Sequence, residues 1–255
     1  MTVGEIAAHY ERKLDYEHWG LAGSLRQLAH QKQFGQAEAL QLLARYCQDN
    51  DEFCLVSEQA VPYYQGAPLP SREVTLLRFQ RKNNTPITLG GEHISIVYDH
   101  NTNQLLGLTR MLSQLDGSDS ISHQLALDTA LKFLQTHAPD LLSTSIQAVQ
   151  LVKLPASKRI VFSPGLVFDK VTVNWIDYHK ETILVNNQVV EIYGMEVKLY
   201  IPEQSLWAWV IVDNYGQVLT FERNIAWDFD RMRRQTQMWL HDAWLKQHHF
   251  NFTPI

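Results

Sequence analysis

Hydrophobic positions change their period along this chain. Over residues 3–19, Val3, Ile6, Ala7, Tyr10 and Leu14 recur at helical spacing. Residues 21–33 and 35–46 continue that pattern, the latter through Ala37, Leu40, Leu43 and Ala44. Pro62, Gly66, Pro68 and Pro70 then mark an exposed connection. Beyond it the period drops to two, and 74–79, 87–89, 93–98 and 104–110 read as strands. The Asp99-to-Asn103 run between the last two is turn chemistry, because Asp and Asn bond their own backbone. Ser120 or Ser122 opens a helix over 120–137 with Leu127, Ala130, Leu131 and Leu134 inward, and Ala138-Pro139 closes it. Strands resume at 146–154, 159–162, 170–177, 182–185, 188–193, 196–201, 206–212 and 217–222. A last helix, rich in Trp and Arg, is expected over about 228–246.

The order helix, sheet, helix, sheet, helix, with strands joined by short turns, predicts an α+β fold of antiparallel sheets with helices on one face. Without βαβ alternation, a GxGxxG string or a Walker A string, a doubly wound nucleotide fold is not expected. Residues 93–110 (HISIVYDHNTNQLLGLTR) and 207–223 (WAWVIVDNYGQVLTFER) share a pattern. Each has an alternating strand, an Asp-initiated turn, then Gln-(Leu/Val)-Leu and a strand closing on Arg. A helix candidate lies upstream of each. The expectation is a duplicated unit: an N-terminal helical segment 1–34, helix-plus-sheet units at 35–115 and 116–225, and a C-terminal helix and tail at 226–255.

The run 121–134 (ISHQLALDTALKFL) resembles the opening helix of PepSY-type domains, with its capping Ser and alanines four apart on the packed face. Residues 207–218 (WAWVIVDNYGQV) are similar to that family's final hairpin, where V-x-V-D-x-x-G-x-V is usual. The layout resembles tandem PepSY-like proteins of the YcdB/YcdC sort, over about 120–223 and more loosely 35–110. The resemblance implies two PepSY- or cystatin-like units without catalytic activity that bind or inhibit a protein partner, often a peptidase, usually outside the cytoplasm. It supplies no catalytic residue. The chain departs from that pattern by showing no export signal and by its longer sheet region at 157–168 and 176–188.

Composition narrows the classes further. At 255 residues with 45% hydrophobic and 19% charged positions, the chain is long enough for a real core and is neither disordered nor fibrous. A formal net charge of −5 without a basic stripe argues against nucleic acid. No window approaches 18 apolar residues, so no membrane span is expected, and with no visible signal peptide the chain reads as cytoplasmic. An exported mature form stays open. Cys47 and Cys54, seven apart near the end of one helix, read as reduced thiols rather than a disulfide or a zinc site. No cofactor is indicated. The oligomeric state is open, and a dimer is compatible.

Candidate chemistry concentrates at the C-terminus. Arg231, Arg234, Met238, His241 and Leu245 follow helical spacing, with Asp242 beside them. An Arg-lined face walled by Trp207, Trp209 and Trp239 would hold a carboxylate or phosphate, with His241 and Asp242 for acid–base work. The bland alternative packs Met232, Trp239 and Ala243 onto the sheet and leaves the charges as a solvated face. Glu92 and His93, after Gly90-Gly91, form a second candidate, since paired glycines allow close backbone approach to a ligand. Asp177 and His179 read as a hairpin turn carrying acid and base types. No metal-ligand spacing and no GxSxG elbow occurs. The leading expectation is a non-catalytic module that grips a protein or peptide through sheet edges or the groove between units. The alternative is a small-molecule enzyme of the acid–base cyclase, isomerase or lyase type, taking an acidic substrate in a pocket lined by the C-terminal helix. An NTF2-like helix-and-sheet cone gives that layout by analogy.

Overall fold

The computed structural model describes residues 53–64, 71–81, 86–99, 101–102, 104–115, 121–142, 160–168 and 170–254. The helices expected at 3–19, 21–33 and 35–46, the strand expected at 146–154, and Cys47 lie outside these residues. Nine strands form one antiparallel sheet: β1 (Phe53–Tyr63), β2 (Arg72–Arg81), β3 (His93–Asp99), β4 (Gln104–Met111), β5 (Ile160–Phe168), β6 (Val171–Val185), β7 (Gln188–Ile201), β8 (Leu206–Asp213) and β9 (Val218–Ile225). Their spatial order is β1-β2-β3-β4-β9-β8-β7-β6-β5.

This architecture corrects the expected α+β pair of helix-plus-sheet units. The two look-alike hairpins form as read, but they are neighbours in a single sheet. β4 pairs with β9 in the register Gly107↔Glu222, Leu108↔Phe221, Thr109↔Thr220. Across that seam the Thr109 and Thr220 hydroxyls are 2.8 Å apart. Strand pairing, which satisfies backbone groups on both sides, therefore runs straight through the expected boundary between units.

The turns explain why the hairpins were legible. Asp99 accepts from the backbone N–H of Asn101 at 2.9 Å, and Asp213 from those of Tyr215 at 2.8 Å and Gln217 at 2.9 Å. Other segments differ. Residues 53–63, not anticipated as a strand, form edge strand β1, which includes Cys54 and Pro62. Residues 87–89 are not a strand. Four short strands expected between 170 and 201 are two long ones, β6 and β7, so Asp177 and His179 are mid-strand and not in a turn. Ser163-Pro-Gly165 falls within β5, where the register with β6 breaks between Val161 and Leu166.

Helix α1 (His123–His137) starts where Ser122 Oγ accepts from the Leu125 N–H at 3.1 Å. It ends at Ala138, before Pro139, whose missing N–H cannot continue it. Ala126, Leu127, Ala130, Phe133 and Leu134 are buried on the sheet, with the Phe133 and Phe221 rings 5.2 Å apart.

Adjacent positions on β2 point to opposite faces. Leu77 and Phe79 join the core that contains α1, whereas Val74 and Leu76 join a second core with Val97, Leu106, Trp239, Leu240 and Leu245. The C-terminal segment thus covers the other face of β1–β4. It is not the helix expected over 228–246. β10 (Trp227–Asp228) pairs with β11 (Arg233–Arg234), and α2 spans only Asp242–Gln247. The physical reason is local competition. The Asp228 carboxylate accepts from the N–H groups of Asp230 at 3.1 Å and Arg231 at 3.0 Å, and Gln235 N–H donates to Ala226 at 2.9 Å. Among the described residues no helix is long and apolar enough to cross a membrane.

Candidate functional site

The tip of the β6–β7 hairpin reaches over to the loop before β3, where Leu184 N–H donates to the Gly90 carbonyl at 2.7 Å. Gly90 has φ +92°, a conformation that favours glycine, and the Lys246 Nζ lies close against it, 2.5 Å from where a Cβ would stand. Its own N–H donates to Asp242. Hairpin tip, Gly90 loop and α2 enclose a cavity of about 300 Å³, at the small end of the range for small-molecule sites. Its walls combine apolar Ile183, Leu184, Val189 and Leu240 with polar His93, Glu181, His241, Asp242 and Lys246.

Two buried ion-pair groups hold this wall in place. Arg78, fully buried on β2, grips Asp242 with two hydrogen bonds of 2.7 and 2.8 Å. Glu222 on β9 accepts two from Arg234, at 2.9 and 3.1 Å, and lies 2.7 Å from His241 Nε2. Burial would raise the carboxyl pKa of Asp242, but His93, which is protonated at the acid pH where this carboxyl titrates, Arg78 and the Gly90 N–H together hold it down at about 2. For Glu222, burial is likewise outweighed by Arg234 and His241, and the carboxyl lies far below its ordinary range.

The two imidazoles are set in opposite directions. His93 is 2% exposed, and burial, with Arg78 adding to it, pushes its pKa down to about 4. The ring is therefore neutral near pH 7. Its Nδ1 lies 2.8 Å from the Gly91 carbonyl, which can only accept, so Nδ1 carries the proton and Nε2 is left as a lone-pair acceptor. That Nε2 is itself buried and has no hydrogen-bond partner among the described residues. Asp242 Oδ2 is 3.6 Å from Nδ1. For His241, burial alone would lower the pKa, but Glu222 overrides it and raises the value. One wall histidine is thus an uncharged acceptor, and the other favours the cationic, donating form.

Of the sequence candidates, His93, His241 and Asp242 line the cavity together. Arg234 is spent on Glu222, Thr236 and the Gln237 carbonyl, behind His241. Arg231 is exposed and 3.9 Å from Asp228. Glu92 is bonded to Arg81 and Ser113 instead. Trp239 is core, its indole N–H donating to Pro62 at 2.8 Å. Trp209 lies beneath the Lys198 ammonium, 3.6 Å from its ring centre, and Trp207 packs with Trp175, Tyr200 and Phe229. His179 Nε2 is 3.0 Å from Glu181, so this mid-strand pair backs the cavity wall, while Asp177 accepts from the Tyr178 N–H.

Arg78, Glu181, Glu222 and Lys246 were not anticipated. A signal existed for two of them. Arg78 and Glu222 each interrupt an apolar strand, and a charge buried that way requires a partner from elsewhere in the chain. Among the described residues no group of three or more His, Cys, Asp or Glu side chains is placed to hold a metal. Comparison of the chain with protein-family models, curated proteins and solved structures finds no match.

Proposed function

We propose that the protein binds a small molecule in the His93–His241 cavity and acts on it by proton transfer, as an isomerase, cyclase or lyase does. The observation that carries this reading is two imidazoles in one cavity wall whose different neighbours push their pKa values in opposite directions, His93 down and His241 up. Environments that push two titratable groups apart divide the roles of base and acid. His93 Nε2 is the proton acceptor, and His241 is the donor stabilised by Glu222. Of the two routes expected for partner binding, the groove between units goes with the units, and the sheet edges β1 and β5 remain.

The test is a panel of small metabolites screened by ligand-detected NMR, with binders then followed for turnover. Ala243→Trp, at an exposed wall position, should abolish binding, and His93→Gln should abolish turnover while retaining binding. Binding unaffected by Ala243→Trp would reject the cavity as the site. Turnover unaffected by His93→Gln would reject the acid–base assignment.

A second reading, docking of a protein partner, is favoured by one feature. Phe229, 63% exposed, packs against the half-buried Trp207, and Met232, three residues further along, is 71% exposed. Phe229→Asp should remove such a partner without touching the cavity.

A further inference from the structure

The arginines expected to take an acidic ligand are occupied or turned away, yet the cavity is not left without positive charge. Lys246 is exposed at its wall, stands against Gly90, and has no ion pair among the described residues. His241 lies on the same segment, five residues earlier. The remaining charges cancel locally: Arg78 is matched to Asp242, and Arg234 to Glu222. Glu181 is the one wall carboxylate not held by an arginine. We infer that the ligand is a small anion, a carboxylate- or phosphate-bearing molecule, whose charge is held by Lys246 and His241 while an O–H or N–H of the same molecule donates to Nε2 of His93. This deepens the proposed function and rests on the cavity being the ligand site.

Three features support it. The Lys246 ammonium, and the His241 ring in its charged form, both lining the cavity, give charge-assisted hydrogen bonds about twice the strength of neutral ones. The unpartnered Nε2 of a buried ring is costly unless a ligand satisfies it, which favours a donor group there. Leu184 and Val189, 49% and 66% exposed at the hairpin tip, supply apolar wall for the ligand's carbon skeleton. The groups facing His241 are Glu222 from β9, Arg234 from β11, Glu181 from β6 and His93 from β3, with Asp242 beside it. Glu222 and Glu181 favour its charged form, and Arg234 opposes it.

The experiment uses the full chain with succinate and inorganic phosphate as anionic probes, glycerol as a neutral one and ethanolamine as a cationic one. Affinities are read by NMR titration. Lys246→Gln should weaken the anions about tenfold, the loss of one charge-assisted contact. Glu181→Gln should tighten them, because it removes the opposing charge. Raising the pH through the raised His241 pKa should weaken them. The stronger of the two anions identifies the carboxylate or the phosphate class. Binding of glycerol or ethanolamine that is blocked by Ala243→Trp but indifferent to Lys246→Gln would overturn the anion assignment and leave the cavity reading standing. Binding of none of the four would overturn the assignment and the cavity reading together.

Discussion

Acidification should loosen this protein through His93 before any carboxylate of the cluster protonates. The ring is buried and neutral, with a pKa of about 4 against an ordinary 6.5. An unfolded chain takes up this proton near pH 6.5, whereas the folded one resists until about pH 4. A depressed histidine therefore stabilises fully above 6.5, and its contribution drains away as pH falls towards 4. The gap of about 2.5 units corresponds to about 3 kcal/mol in all, of which about 2 kcal/mol is gone by pH 5. His241 behaves oppositely. With a raised pKa, its contribution is complete below 6.5 and is lost only as pH climbs through the raised value. Asp242 and Glu222 have depressed values, so their contributions fade only below their ordinary 3.8 and 4.5. Between pH 6.5 and 4.5 the cluster's pH dependence thus belongs to His93. Urea unfolding of the wild type and His93→Gln at pH 7.5, 6.5, 5.5 and 5.0 isolates it, because every other group cancels in the difference. The wild type should lose about 2 kcal/mol more than the variant between pH 7.5 and 5.0. Parallel pH profiles for the two proteins would refute the assignment of a neutral, buried His93.

Two further outcomes follow from the packing. Arg78→Met should cost about 3–5 kcal/mol in chemical denaturation by stranding the Asp242 carboxylate, and adding Asp242→Asn should recover part of the loss. Gly194→Ala on β7 would place a Cβ 2.7 Å from the Val212 carbonyl oxygen, so its melting temperature should fall as for an overpacked core, about 1–3 kcal/mol.

What was legible in the sequence was local. Ser122, the stripe from Leu127 to Leu134 and the Asp99 and Asp213 turns each act within a few residues, and each formed as read. What was not legible depends on residues far apart. Nothing local shows that β4 and β9 pair across the 106 residues between them (112–217) to make one sheet. Asp177 and His179 read as a hairpin turn because polar residues interrupt the apolar alternation there, yet backbone pairing with β7 keeps them extended. The site was half legible. His93, His241 and Asp242 were singled out as residue types, whereas Arg78 and Glu222 showed only as charges within strands, with nothing local to say which distant residues they would meet.

The failure of the expected C-terminal helix is what builds the site. Arg234 and His241 are seven residues apart, which on an α-helix is a rise of about 10.5 Å on one face. Such a rod would spread the two cations along the sheet. Instead both meet the single Glu222 carboxylate, within 3.1 Å. A buried carboxylate needs its charge and lone pairs satisfied, and folding the chain back at 235–241 supplies both partners at once. The same path puts Asp242 over Arg78 in the next row of the sheet. The two charges embedded in β2 and β9 therefore select an irregular course over a helix that the spacing of Arg231, Arg234, Met238 and His241 favours locally. That course, ending in the short helix with Ala243 and Lys246, is also the one that leaves room for a cavity against the β6–β7 hairpin. Buried ion pairs contribute little net stability, but here they fix where the chain goes, and the position of His241 opposite His93 follows from them.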